Sequence, residues 1–146
     1  MEKIILKGHK GIGGLAEGEA LVTRDPISYF SDVGGALAEP MSAVVTNKLS
    51  LPELYGENLA NKVLVFPTGK AGIVSTALIM GLVKHGLGPK AMINIKTHPL
   101  FALTAIVTDI PTVDGLNENP CEVIETGDYV KVDGRTGTVE VTKKKG

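Results

Sequence analysis

Apolar positions along this chain fall in short blocks divided by glycine, proline and small polar residues, a pattern of many short strands and turns. Lys3-Ile4-Ile5-Leu6-Lys7 reads as a first strand, Gly8 to Gly14 as a glycine-rich connection, and Glu17 to Thr23 as a second strand, both expected near a sheet edge. From Asp25 to Gly56 no helical period is sustained, and Pro26, Pro40 and Pro52 interrupt the pattern. Loops are expected there, with a short strand around Ala43-Val44-Val45-Thr46. Lys62 to Phe66 is an apolar, β-branched run stopped by Pro67; a small-residue turn and a helix from Thr76 to His85 follow, with Gly86 to Pro89 as its stop. Ala91 to Ile95 is a second buried strand, which makes a βαβ crossover the economical arrangement. Thr97 to Thr108 predicts a short helix with Thr97 as cap and Pro99 in its first turn. Ile110 to Val113 is a third short strand, and Tyr129 to Asp133 with Thr138 to Thr142 form a hairpin around Gly134-Arg135-Thr136-Gly137. The expected class is α/β, a single domain over residues 1–146 with β-rich termini around a central βαβ unit.

Composition agrees with a compact domain: 146 residues, 43% hydrophobic, 21% charged, with a formal net charge of -1. That balance sets up no long-range field for nucleic acid or anionic lipid, so neither is expected as a partner, and Lys143-Lys144-Lys145 reads as a solvated tail. The single cysteine, Cys121, supports neither a disulfide framework nor an iron-sulfur or zinc site made by this chain alone. No run approaches the roughly 20 apolar residues of a membrane span and no signal-peptide core follows Met1-Glu2-Lys3, so a cytoplasmic location is expected.

The chemistry concentrates in Phe66-Pro67-Thr68-Gly69-Lys70-Ala71-Gly72-Ile73-Val74-Ser75-Thr76. A strand, a small-residue turn and a helix start present backbone N–H groups and one cation, a setting suited to an anion. The spacing of a Walker A loop is absent, which argues against a nucleotide. Lys70 also fits an ordinary surface lysine, and Ser75 and Thr76 fit helix N-caps. Ser28 fits either a turn or the same cleft, and Cys121 reads as incidental. His98, at a helix start, reads as structural, His85 suits a helix C-terminus, and His9 lies in the glycine-rich loop.

Gly18-Glu19-Ala20-Leu21-Val22, Asp25-Pro26-Ile27-Ser28-Tyr29-Phe30, Lys62 to Lys70, Ile110 to Val113 and Gly127 to Asp133 with Gly137-Thr138-Val139 follow one another in an order that resembles the small subunit of the aconitase X family. The resemblance implies a swivelling β/β/α domain like the fourth domain of aconitase. It also implies a large catalytic partner subunit that carries an iron-sulfur cluster, no cofactor in this chain, and dehydration of a small anionic hydroxy acid. Members resemble dehydratases of mevalonate 5-phosphate and of cis-3-hydroxy-L-proline. Gly69 and Lys70 match the first two positions of the family's Gly-Arg/Lys-Gly-Ser turn, whereas Ala71 and Gly72 stand where Gly and the basic Ser are usual. The resemblance therefore assigns substrate binding to Gly69, Lys70, Gly72, Ile73 and Ser28, and leaves Ser75 or Thr76 as stand-in proton acceptors. Two other functions fit the residues: a non-catalytic anion-binding or regulatory module, and a homo-oligomeric scaffold assembled through Ile79, Met80, Leu82 and Val83.

Overall fold

The computed structural model describes residues 2–9, 11–70 and 73–144. Seven strands form one sheet in the order β1-β7-β6-β2-β3-β4-β5, with β1 Lys3–Lys7, β2 Leu15–Val22, β3 Val63–Phe66, β4 Ala91–Asn94, β5 Thr112–Val113, β6 Tyr129–Asp133 and β7 Thr138–Thr142. The second strand belongs to two regimes. Leu15 to Glu19 pair antiparallel with β6, and Ala20 to Val22 pair parallel with β3. β2 is thus central to the sheet rather than at an edge, while β1 does lie at an edge, beyond β7.

Every residue of β3 and β4 is buried, because both faces of the parallel part are covered. Leu64, Phe66 and Met92 face one cluster with Leu78, Ile79 and Leu82 of α2 (Ile73–Lys84) and Phe101 and Ala105 of α3 (Pro99–Thr108). Val63, Val65, Ala91 and Ile93 face the other, where Val130, Val132, Val139 and Val141 from the antiparallel strands join Leu6. Along β6 and β7 only alternate residues are buried, the expected signature of a sheet with one wet face. Gly137 closes their turn at φ 74°, and a Cβ there would lie 2.1 Å from the His9 carbonyl oxygen, so the turn admits no side chain.

The stretch read as loops folds down as a lid on the first core. It contains α1 (Tyr29–Asp32), two 3-10 turns at Gly34–Leu37 and Pro52–Leu54, and one isolated bridge, Val44 to Asn58, in place of the strand expected over 43–46. Tyr29, Val33, Val45, Leu51, Leu54 and Leu59 anchor it with no more than 1% exposure each. Helix α2 starts three residues earlier than its sequence predicts, and α3 is capped by His98, whose Nδ1 accepts from the Leu100 N–H at 3.1 Å, rather than by Thr97. Ile79 and Leu82 are wholly buried in their own domain's core, which removes them from any oligomer-forming face.

The basic C-terminal cluster is also not a free tail. Lys143 bonds the carboxylate of Asp128, a side chain with no exposure, and pairs with Glu125 at 3.2 Å, while the Lys144 N–H donates to Asp128 Oδ1 at 2.9 Å. Lys145 lies outside the described residues.

Candidate functional site

The C-terminal end of β3 sets the geometry. Past Phe66 the chain runs beside the segment entering α1: the Ile27 N–H donates to the Thr68 carbonyl at 3.3 Å, and the Lys70 N–H donates to the Ile27 carbonyl at 2.9 Å. This extension of the parallel pairing brings Ser28 to the turn that sequence alone had marked. One of the N–H groups expected to face a ligand, that of Lys70, is thereby used inside the fold.

Ser28 Oγ then lies 3.3 Å from Ser75 Oγ, although 47 residues separate them. Ser75 Oγ also accepts the N–H of Phe30 at 3.3 Å. The two hydroxyls are enclosed, with Ser75 1% and Ser28 7% exposed. Because α2 begins at Ile73, Ser75 and Thr76 are first-turn residues of the helix and not its caps. Consecutive helix positions point about 100° apart, and Thr76 accordingly meets a different neighbour: its Oγ1 lies in hydrogen-bond contact at 3.0 Å with Thr104 Oγ1 of α3, which also donates to the Leu100 carbonyl at 2.8 Å.

Gly69 is buried against α3. A Cβ at that position would sit 2.2 Å from Cδ1 of Phe101, so glycine is required by close approach. Lys70 extends outward, and its Nζ donates to Ser50 Oγ at 3.3 Å. Ser50 belongs to a turn organised by Asn47, whose Oδ1 accepts from the Leu49 and Ser50 N–H groups and whose Nδ2 donates to the Ser31 carbonyl. The Ile73 side chain is 75% exposed. Gly72, the remaining binding residue expected from sequence, lies outside the described residues together with Ala71.

Asp32 belongs to this site and was not foreseen. Its side chain has no solvent exposure, accepts the Ser28 N–H at 2.8 Å and the Ser31 hydroxyl at 3.3 Å, and enters no salt bridge among the described residues. The available signal was an acidic residue about one helical turn after Ser28, outside the three-residue spacing of a capping box. Asn94 is a second addition, a polar residue ending an apolar strand. Its Nδ2 donates to the Phe66 carbonyl at 3.1 Å, and its Oδ1 has no partner among the described residues.

The chain as a whole has known relatives. The model of the aconitase X swivel domain matches residues 5–141. The chain belongs to the aconitase X swivel domain family. Within it, the phosphomevalonate dehydratase small subunit of Methanocella arvoryzae is 44% identical over 94% of this chain and 98% of its own length. The corresponding small subunit of Methanosarcina acetivorans is 40% identical over 100% of this chain and 96% of its own length. A crystal structure of Thermococcus kodakaraensis aconitase X in its holo form superposes with a TM-score of 0.81 at 38% identity, covering 96% of this chain and 99% of that chain. The swivel-domain architecture expected from sequence is therefore the observed one.

Two features bear on what an aconitase X swivel domain of this sequence can hold. Among the described residues no group of three or more His, Cys, Asp or Glu side chains is placed to bind a metal. Cys121, the single cysteine of the sequence, is buried in α4 (Pro120–Val123), and burial, with Glu53 and Glu122 nearby, pushes its thiol up to about 11. The described residues do not fit an iron-sulfur cluster. No described helix is long and apolar enough to cross a membrane.

Proposed function

We propose that this chain is the small subunit of a heteromeric aconitase-type dehydratase that acts on a small anionic hydroxy acid, with the iron-sulfur cluster held by a large partner subunit. Mevalonate 5-phosphate, the substrate named by full-length relatives, is the first compound to test. The observation that carries the reading is the buried Ser28–Ser75 hydroxyl pair beside the Gly69–Lys70 turn.

In this reading Ser75 acts as its alkoxide, its own proton having passed to solvent before the cleft closes, and accepts the substrate proton to become the neutral hydroxyl. An alkoxide is favoured by hydrogen-bond donors beside it, and Ser75 Oγ has the Phe30 N–H and, once its own hydrogen is lost, the Ser28 hydroxyl 3.3 Å away, which can then only donate. Thr76, engaged with Thr104, lacks such an arrangement and is set aside as the base. Lys70 supplies the cation for the substrate's anionic group, exchanging its neutral partner Ser50 for a charged one. The partner subunit closes the cleft and excludes water.

The test is kinetic, on the complex reconstituted anaerobically with its cognate large subunit. Ser75→Ala lowers kcat by about 100-fold or more, in the range ascribed to general acid-base groups. Thr76→Ala stays within about threefold, and Lys70→Ala raises KM more than it lowers kcat. Full turnover in Ser75→Ala removes the assignment. The near-complete burial of Ser75 favours one competing reading, an anion-binding module without turnover. Binding of mevalonate 5-phosphate by the complex with no loss of water would support that module instead.

A further inference from the structure

We propose that Asp32 is a positioning residue for the Ser28–Ser75 pair, an inference that rests on the assignment of Ser75 as proton acceptor. A serine at a helix N-cap ordinarily turns its hydroxyl onto the first free amides of its own helix. Ser28 occupies the N-cap of α1 in extended conformation, yet its side chain makes no cap bond. Two other groups do that work. Asp32 reaches back one turn and accepts the Ser28 N–H at 2.8 Å, and Ser75 Oγ takes the N–H of Phe30 at 3.3 Å. The Ser28 hydroxyl is left facing Ser75 across 3.3 Å.

Asp32 is itself fixed from both sides. Its second carboxyl oxygen accepts the Ser31 hydroxyl, and its backbone carbonyl accepts the Thr46 N–H at 2.9 Å. A fully buried carboxyl with no salt bridge among the described residues is costly to keep in a core unless its oxygens are satisfied. Here the satisfaction comes from the residue it orients. Without Asp32 the Ser28 N–H loses its acceptor, α1 loses its start, and the Ser28 hydroxyl falls back to capping. Ser75 then keeps its place on α2 but loses one of its two donors.

The test uses the reconstituted complex with mevalonate 5-phosphate. Asp32→Ala lowers kcat at least tenfold with KM within twofold. Asp32→Asn, which retains an acceptor for the Ser28 N–H, stays within threefold of wild type. In a Ser28→Ala background the Asp32→Ala change costs no further kcat, because the group it positions is gone. A merely structural aspartate would lower thermal stability equally in both backgrounds and would show no such dependence. Should Asp32→Ala fail to assemble, Asp32→Ser, too short to span to the Ser28 amide, carries the same expectation. The full chain gives a readout without turnover: protection of the Ser28 amide, the one Asp32 accepts, from hydrogen exchange falls at least tenfold in Asp32→Ala and is kept in Asp32→Asn. Wild-type kcat or unchanged Ser28 amide protection in Asp32→Ala overturns the proposal, as does an equal loss of kcat in both backgrounds. Full turnover in Ser75→Ala overturns the reading beneath it as well; loss in Ser75→Ala with wild-type kcat in Asp32→Ala removes only the role of Asp32.

Discussion

Replacing Lys143 by alanine removes from the carboxylate of Asp128 the one side-chain cation that meets it among the described residues. That carboxylate has no exposure and accepts from Lys143 Nζ, from the Glu125 N–H at 2.8 Å and from the Lys144 N–H at 2.9 Å. Breaking a fully buried ion pair costs about 3–5 kcal/mol. Two amides remain on Asp128 after the substitution, and Lys143 itself keeps 16% exposure, which lowers the expectation to about 2 kcal/mol, the scale of one hydrogen bond to a charged group. For a chain of this size that is a drop in Tm of about 6 °C. The pH dependence has a definite sign. Burial raises the Asp128 pKa, but the hydrogen bonds from Lys143 and the two amides outweigh it and hold the carboxyl below its ordinary value. Its contribution is therefore complete above the unfolded-state value and is lost as pH falls through the folded one. For Lys143 burial works against the charge, and the bonds to Asp128 and Glu125 outweigh it, so its pKa is raised and the pair is lost at the alkaline end as pH rises through the folded Lys143 value. Urea denaturation of wild type and Lys143→Ala at neutral pH and at successively lower pH checks both parts. A difference under about 0.5 kcal/mol at neutral pH, the range of ordinary surface substitutions, would refute the reasoning. So would a difference that persists unchanged once Asp128 is protonated.

Two further outcomes are expected. Gly69→Ala drives a methyl group into the ring of Phe101 and destabilises by about 2 kcal/mol, within the range for overpacking. Adding Phe101→Leu recovers part of that loss in thermal melts, and strictly additive losses would contradict the steric account. Cys121, 6% exposed and with its thiol raised to about 11, resists a disulfide-exchange reagent at pH 8 in the native chain and reacts fully in guanidinium. Rapid native labelling would contradict its assigned burial.

What could be read from sequence was what local pattern encodes. The runs Lys62 to Phe66 and Ala91 to Ile95 announced buried strands because both faces are covered, and the alternation in Tyr129 to Asp133 and Thr138 to Thr142 announced a half-wet hairpin. Ile73 and Val74 carry β-branched side chains of modest helix preference, and the expected start of α2 was accordingly placed too late. The stretch 25–60 was opaque because it owes its shape to Tyr29, Leu51, Leu54 and Leu59 docking on a distant core and not to a period of its own. At the site, Gly69 and Lys70 stood out through their turn. The partnership of Ser28 with Ser75 depends on Ile27 running parallel to Gly69, a contact that no local signal contains.

The division of β2 between two partners has a consequence for the order in which the chain can be completed. Its second half finds β3 about 40 residues later, but its first half waits for β6, and β1 waits for β7 at Thr138–Thr142. Until those last strands emerge from the ribosome, the edges of Lys3–Lys7 and Leu15–Glu19 stand open and Val63, Val65 and Ile93 lack their cover. A nascent chain stopped before Tyr129 thus carries a half-made sheet with unpaired borders, so that synthesis of residues 129–142 is the step that covers the second core and pairs Leu15 to Glu19.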